Sequence, residues 1–352
     1  MIEFPQCKVA AAHVAPVYFD IDRTVDKVCR VIRDAAQQGV HLIAFPECFI
    51  PGYPHWGEVI PPMATDGLFK QMVERGLRIN GPEIRRICAA AAENRMVVSI
   101  GFNEGTDVSV GCLWNANLLI NSDGTVLSHH RKLVPTSVEK LIWASGDGAG
   151  LRIADTALGR VGMLICGENT NPLARYTLIA QGEQIHISSY PSVFPAKSPD
   201  GKGAYDIEDA IRIRAANHAF EGKLFNIVAA TPFDDTARQF LSKLGDNILP
   251  LFERGAQSAS MIVGPTGKVI TSNASAEEGL CVADIDLGDC VAPKRMHDVV
   301  GYYNRYDVFN LNVMIKRDLP ANITYRRSIK DEELSTPASN PNEAEAAQAP
   351  RE

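Results

Sequence analysis

Residues 163–176 read MLICGENTNPLARY. An apolar run leads into Cys166, glycine and a carboxylate follow, and Asn171-Pro172 has the form of an N-cap residue with proline at the first helical position. Strand, turn and helix in that order belong to an α/β chain. The cysteine at the turn admits two readings. An unpaired cysteine closing a hydrophobic run is ordinarily packing material. One set against the positive end of a helix and near a cation is biased toward thiolate, the nucleophilic form.

The same alternation extends in both directions. Lys8 to Val14 is a short apolar strand, and 22–38 carries Val25, Val28, Val31, Ile32 and Ala35 at helical spacing before Gly39. HLIAFPE (41–47) is a buried strand ending at Glu47; a Pro/Gly-rich loop follows, then helical patterns over 66–78 and 82–94 and the strand MVVSIGF. CLWNANLLINSDGTVLSHHRK predicts a hairpin turning at Ser122-Asp123-Gly124, and LRIADTALGRVGMLIC a second, turning near Leu158-Gly159 and closed by Cys166. Beyond it come a helix over 172–181, the strand QIHISSY, a long helix over 207–221, the strand LFNIVAA and a hairpin through SASMIVGPTGKVI. Helices alternating with strands, interspersed with hairpins, predict a layered α/β sandwich with mixed parallel and antiparallel pairing.

No linker interrupts residues 1–320, read as one domain. The segment 321–352, rich in Glu, Ala, Pro, Ser and Asn, is expected to be a disordered tail, having too little apolar surface to offset its ordering entropy. The chain has 352 residues, 45% of them hydrophobic and 22% charged, which is ordinary globular usage. A formal charge of -7 with pI near 5.7 gives no footprint for nucleic acid or an anionic membrane surface, so the expected ligand is small. The N-terminus has no signal-peptide pattern, no apolar run is long enough to span a bilayer, and the eight cysteines include no C-x-x-C pair. A cytoplasmic, reducing setting is expected.

Three polar residues end apolar strands: Glu47 after LIAFP, Lys132 after the hairpin arm, and Cys166 after VGMLI. Singly, each has a structural explanation: a loop cap, a solvated charge beside Arg131, and a core thiol. Together they form a hydrolytic set without histidine. A thiolate attacks, an ammonium stabilises developing charge, and a carboxylate takes and returns the proton. Gly146–Gly150 lacks the G-x-G-x-x-G spacing of a phosphate loop and leads into a strand, and GPTGK (264–268) lacks the P-loop spacing, so both read as turns. His129 and His130, and Cys48 with His55, have no ligand pattern or third partner and are expected to be satisfied loop side chains.

On these residues the chain resembles the nitrilases of the carbon-nitrogen hydrolase superfamily. The resemblance runs from about residue 7 to 315 and rests on FPECFIPGYPHW, HRKLVPTSVEKLIWASGDG and CGENTNPLARYTLIAQGEQIHISSYP, with GYYNRYDVFNL like the family's closing segment. It implies an αββα four-layer sandwich, Glu47 as general base and acid, Lys132 as the stabilising cation, Cys166 as nucleophile, and Glu139 as a second glutamate orienting the others. It further implies Tyr53, Trp143 and Pro191 as pocket-lining residues. The implied reaction converts an organic nitrile and water to carboxylic acid and ammonia through thioimidate and thioester intermediates, with no metal or organic cofactor. A homo-oligomer is implied, a dimer extending to a spiral. An amidase or cyanide-degrading member of the superfamily is the alternative, and a non-catalytic oligomeric scaffold a third. One departure stands out: nitrilases usually carry tryptophan after the nucleophile, and here Gly167 stands there, which predicts a roomier acyl site in which its backbone N–H still serves a developing anion.

Overall fold

The computed structural model describes residues 4–196 and 205–317. Its first strand, β1 (Gln6–His13), carries mostly short side chains, and its two faces serve two different cores: Val9 and Ala11 one, Ala10 and Ala12 the other. β1 sits inside a six-stranded sheet of order β12 (Gly279–Asp286), β1, β2 (Leu42–Ala44), β3 (Val97–Gly105), β4 (Leu113–Ile120) and β5 (Val126–Arg131). Its centre is parallel through β1, β2 and β3, and its flanks are antiparallel. The second six-stranded sheet has the order β11 (Val269–Asn273), β10 (Ser260–Val263), β9 (Phe225–Ala230), β8 (Ile185–Tyr190), β7 (Gly159–Ile165) and β6 (Ala154–Thr156). It repeats the plan, with a parallel centre through β7, β8 and β9.

Helices α1 (Ile21–Gln37) and α3 (Pro82–Asn94) bury Val25, Val28, Ile32, Ile84 and Ile87 against Ile43, Val98, Ile100 and Leu118 of the first sheet. The sheets meet through Ala11, Leu42, Ala44, Val161, Met163, Ile185, Ile227 and Ala229. Helices α4 (Pro172–Ile179) and α5 (Ile207–Gly222) cover the other face of the second sheet, with Ile179, Ile207, Ile211 and Ala215 against Tyr190, Val228 and Val263. This is the expected four-layer αββα sandwich. No described helix is long and apolar enough to cross a membrane.

The structure adds to the sequence reading and corrects it. The pattern over 66–78 forms α2 only from Asp66 to Glu74, because Leu77 bridges to Glu104 and donates its N–H to the Asn103 carbonyl at 2.9 Å. Helices α6 (Asp235–Ser242) and α7 (Leu249–Glu253), like β12 and α8 (Val291–Lys294), lie in stretches the sequence reading left unassigned. β12 buries Cys281, Ala283 and Ile285 at a two-residue period, but two of these three are small and mark the alternation weakly. The expected tail, 321–352, lies outside the described residues.

Ala11 is fully buried where the two sheets face each other, so a larger side chain there must push the layers apart. Ala11→Leu is expected to cost about 1–3 kcal/mol, read as a lowered melting temperature; an unchanged midpoint would show that the layers accommodate it.

Candidate active site

Three strand ends converge. After β2 the chain stays beside β3, Phe45 donating its N–H to the Ser99 carbonyl at 2.8 Å, and then turns so that Glu47 is fully buried. Gly101 on β3 permits this, since a Cβ there would collide with the Pro46 carbonyl oxygen and the Cys48 amide. Lys132 continues β5, its N–H donating to the Asn115 carbonyl at 2.8 Å. Gly146 then packs directly on it, donating to the Lys132 carbonyl at 2.8 Å where a side chain would strike the same backbone. Thus the glycine-rich GDGAG stretch braces the lysine. Cys166 ends β7 at φ 49°, a left-handed conformation disfavoured for any residue with a Cβ. Such strain concentrates at functional sites, and a sharp strand-to-helix turn is a known way to present a nucleophile.

The charges sit in one cluster. Lys132 Nζ donates to Glu47 Oε1 and to Glu139 Oε2, each at 2.7 Å, with all three side chains buried. Asn115 Nδ2 donates to Glu47 Oε1 at 2.7 Å; Tyr53 OH donates to Glu139 Oε1 at 2.7 Å, and the Thr136 amide to Glu139 Oε2 at 2.7 Å. Glu47 Oε2 is buried with no hydrogen-bond partner. Burial pushes the Glu47 carboxyl up to about 7, with Glu139 adding to the push and Lys132 opposing it. Burial works against the Lys132 ammonium too, but Glu47 and Glu139 outweigh it and hold its pKa well above the usual lysine value.

Cys166 departs from the expected thiolate. Burial, then Glu47, pushes its thiol well above the ordinary cysteine value, and Lys132 only partly pulls it back. The helix contributes little because α4 starts one 3₁₀ turn later, at Pro172, and Asn171 Oδ1 already accepts from the Leu173 and Ala174 amides at 2.9 and 3.3 Å. The charged form of the sulfur is thereby disfavoured. Gly167, second in that 3₁₀ turn, has an N–H with no acceptor inside the turn.

Glu168 and Asn169, which the sequence reading passed over, fix the turn. Glu168 accepts from the Ile165 and Leu133 amides, each at 2.6 Å, and pairs with His130 Nε2 at 2.8 Å, so one carboxylate ties the cysteine's turn to the lysine's strand. Burial opposes the charge on Glu168, yet His130 and these amides outweigh it and keep its pKa below the usual range. Asn169 Nδ2 donates to the Cys166 carbonyl at 3.0 Å and to Leu164 at 3.3 Å. Its Oδ1 faces His186 Nε2 at 2.9 Å. His186, Glu183 and His218 have ligand-type atoms within 4.8 Å of one another, and they are joined by hydrogen bonds of 2.6 Å (His186–Glu183) and 2.9 Å (His218–Glu183). His129 and His130 lie on a strand, not a loop, paired with Glu104 and Glu168.

Beside Cys166 lies a cavity of about 450 Å³ walled by Glu58, Thr136, Val138, Gly167, Phe194, Tyr205, Ile207 and Arg214. Of the four residues implied for substrate, Gly167 lines it. Tyr53 lies behind, holding Glu139. Trp143, its ring edge-on to Tyr53 at 5.9 Å, donates to Asn103 Oδ1 at 2.9 Å, and Pro191 is buried just after β8.

The carbon-nitrogen hydrolase family model matches residues 8–295, and the chain belongs to that family of hydrolases, whose wider superfamily includes nitrilases, amidases and cyanide hydratases. It is 35% identical to a nitrilase of Paraburkholderia phymatum over 89% of this chain and 88% of that one. It is 35% identical to an aliphatic nitrilase of Rhodococcus rhodochrous, covering 92% and 87%. It is 33% identical to a cyanide hydratase of Gibberella zeae, covering 88% and 87%. A carbon-nitrogen hydrolase from Helicobacter pylori shares the fold at TM-score 0.67 and 19% identity, covering 87% of this chain and 97% of that one.

Glu168→Ala strips His130 and two backbone amides of their acceptor at once. It is expected to cost about 3–5 kcal/mol, seen as a lower denaturation midpoint; a loss below about 1 kcal/mol would mean that water replaces the carboxylate.

Proposed function

We propose that the chain is a nitrilase, converting an organic nitrile and water to a carboxylic acid and ammonia. The observation that carries this reading is the buried Lys132 ammonium clamped between Glu47 and Glu139, electrostatically coupled to a strained, buried Cys166. Its relatives support it, and so does the cavity: about 450 Å³ with Val138, Phe194 and Ile207 on its walls suits an organic nitrile better than cyanide itself. In the family's hydrolytic sequence Cys166 sulfur adds to the nitrile carbon while its proton passes to Glu47, whose unpartnered Oε2 is the free acceptor. Glu47 hands that proton on to the nitrile nitrogen to give a thioimidate and is ionised again, while Lys132 together with the Gly167 amide opposes the charge that develops there. Water then adds, losing its proton to Glu47; the C–N bond breaks as ammonia departs, leaving a thioester. A second water cleaves the C–S bond, releasing acid and restoring the thiol. Expulsion of sulfur from the first tetrahedral intermediate gives the amide instead. Tyr53, by this reading, positions Glu139. The exposed Tyr302, Tyr303, Tyr306 and Phe309 offer an apolar face for the implied homo-oligomer.

Ammonia release from aliphatic, aromatic and arylacetonitriles and their matched amides tests the reaction. Nitrile turnover abolished by Cys166→Ala is the expected result; turnover of amides alone would move the chain to the amidase branch, and turnover of cyanide alone to the cyanide-degrading one.

Because Glu47 must be ionised to take the proton and its carboxyl titrates at about 7, kcat/KM should fall as pH drops through that value. Glu139 contributes to the upward push, so Glu139→Gln should move this acid limb to lower pH. A limb that stays in place would separate it from Glu47.

A further inference from the structure

Two cations at the mouth of the site have no acidic partner among the described residues. Arg214, on α5, donates from Nε to Thr170 Oγ1 and from Nη2 to Tyr205 OH, each at 2.6 Å, so its charge is held in place by neutral groups. It lines the cavity beside Cys166 and also an adjoining one of about 430 Å³, whose wall includes exposed Lys140. Thr136, Ser137 and Gly167 are likewise shared by both cavities. Gly167 keeps this shared wall low: a Cβ there would already stand 3.0 Å from Thr136 Oγ1.

The acidic groups facing this groove do not cancel the cations. Glu168 is engaged by His130 and two amides. Burial and then Glu139 push the carboxyl of Glu58, on the cavity wall, well above the usual range, which disfavours its charge, and its Oε2 has no partner. In a chain with formal charge -7, a half-buried guanidinium and an exposed ammonium without acidic partners among the described residues favour an anion at this entrance.

We propose that Arg214, assisted by Lys140, forms an anion subsite across Gly167, and that the preferred substrate is a nitrile carrying a carboxylate at the far end of its chain. The carboxylate lies against the Arg214 guanidinium, the aliphatic spacer runs past Gly167 against the apolar wall of Phe194 and Ile207, and the nitrile carbon reaches the Cys166 sulfur. A guanidinium held by neutral partners presents its remaining N–H groups as a fork suited to a carboxylate. The identity of the reaction is taken from the nitrilase reading; the subsite itself is not.

A homologous series of ω-cyanoalkanoates and their methyl esters tests the proposal. For the best chain length, kcat/KM for the acid should exceed that for the ester by roughly tenfold or more. That ratio should collapse toward one in Arg214→Gln, be partly kept in Arg214→Lys, fall more modestly in Lys140→Ala, and decline with added salt. An acid-to-ester ratio near one in the native chain, or one unchanged in Arg214→Gln, would overturn it. A second readout does not need nitrile turnover: α,ω-alkanedioates should protect Cys166 from alkylation in the native chain better than their monomethyl esters do, and lose that advantage in Arg214→Gln. Protection by the diacids with no nitrile hydrolysed would keep the subsite and reject the nitrile reaction; nitrile hydrolysis with no discrimination between acid and ester in either readout would do the reverse.

Discussion

A single buried ammonium constrains this active site more than any other group. Lys132 lies with its Nζ fully enclosed between Glu47 and Glu139, and taking such ions out of water costs several kcal/mol apiece unless their remaining hydrogen-bonding capacity is met. The surrounding residues answer that need one by one: Asn115 on Glu47, Tyr53 and the Thr136 amide on Glu139. On the two carboxylates that clamp the ammonium, one oxygen is left over. Glu47 Oε2 has no partner, whereas Glu47 Oε1 and both Glu139 oxygens are satisfied, and on the proposed mechanism this open oxygen is where the thiol proton arrives.

The two-sheet architecture follows from delivering these groups to one place. Glu47 and Lys132 come from the first sheet and Cys166 from the second, so the site exists only when the layers pack in register. Small residues on the facing strands, Ala11, Ala44 and Ala229, keep the layers close, and Glu168 fastens the cysteine's turn to the backbone just past Lys132. The opening stretch is thereby explained beyond its cysteine: glycine leaves space over the thiol, and the carboxylate after it is a structural tie.

The strands and helices that carry the core were legible because their apolar periods are strong, as in α1 with Val25, Val28, Ile32 and Ala35. Glu47, Lys132 and Cys166 were legible as strand-end residues. What escaped the sequence was whatever depends on three-dimensional neighbours. Asn171 is the N-cap its sequence context indicates, yet the thiolate bias expected from it does not follow, because the cap already satisfies the first amides of the helix and burial, Glu47 and Glu139 disfavour charge on the sulfur. Asn115 and Asn169 gave no local signal: one is a polar residue in a buried strand, the other reaches back three residues to hold the Cys166 carbonyl. Tyr53 and Trp143 are aromatic and close to the site, and only their partners, Glu139 and Asn103, show that they stand behind it.

A thiol whose charged form is disfavoured also bears on the role proposed for Lys132. Were the ammonium there chiefly to create thiolate, Cys166 would titrate low; it titrates high, because Glu47, Glu139 and burial together exceed the pull of one cation. On the proposed mechanism the balance changes once the proton moves from sulfur to Glu47. That transfer removes one negative charge from the Lys132 clamp and leaves the ammonium freer to face the charge growing on the bound substrate. On that mechanism the cluster is organised for the moment of bond formation rather than for the resting state, which is the condition under which an interaction lowers a barrier instead of only stabilising the ground state.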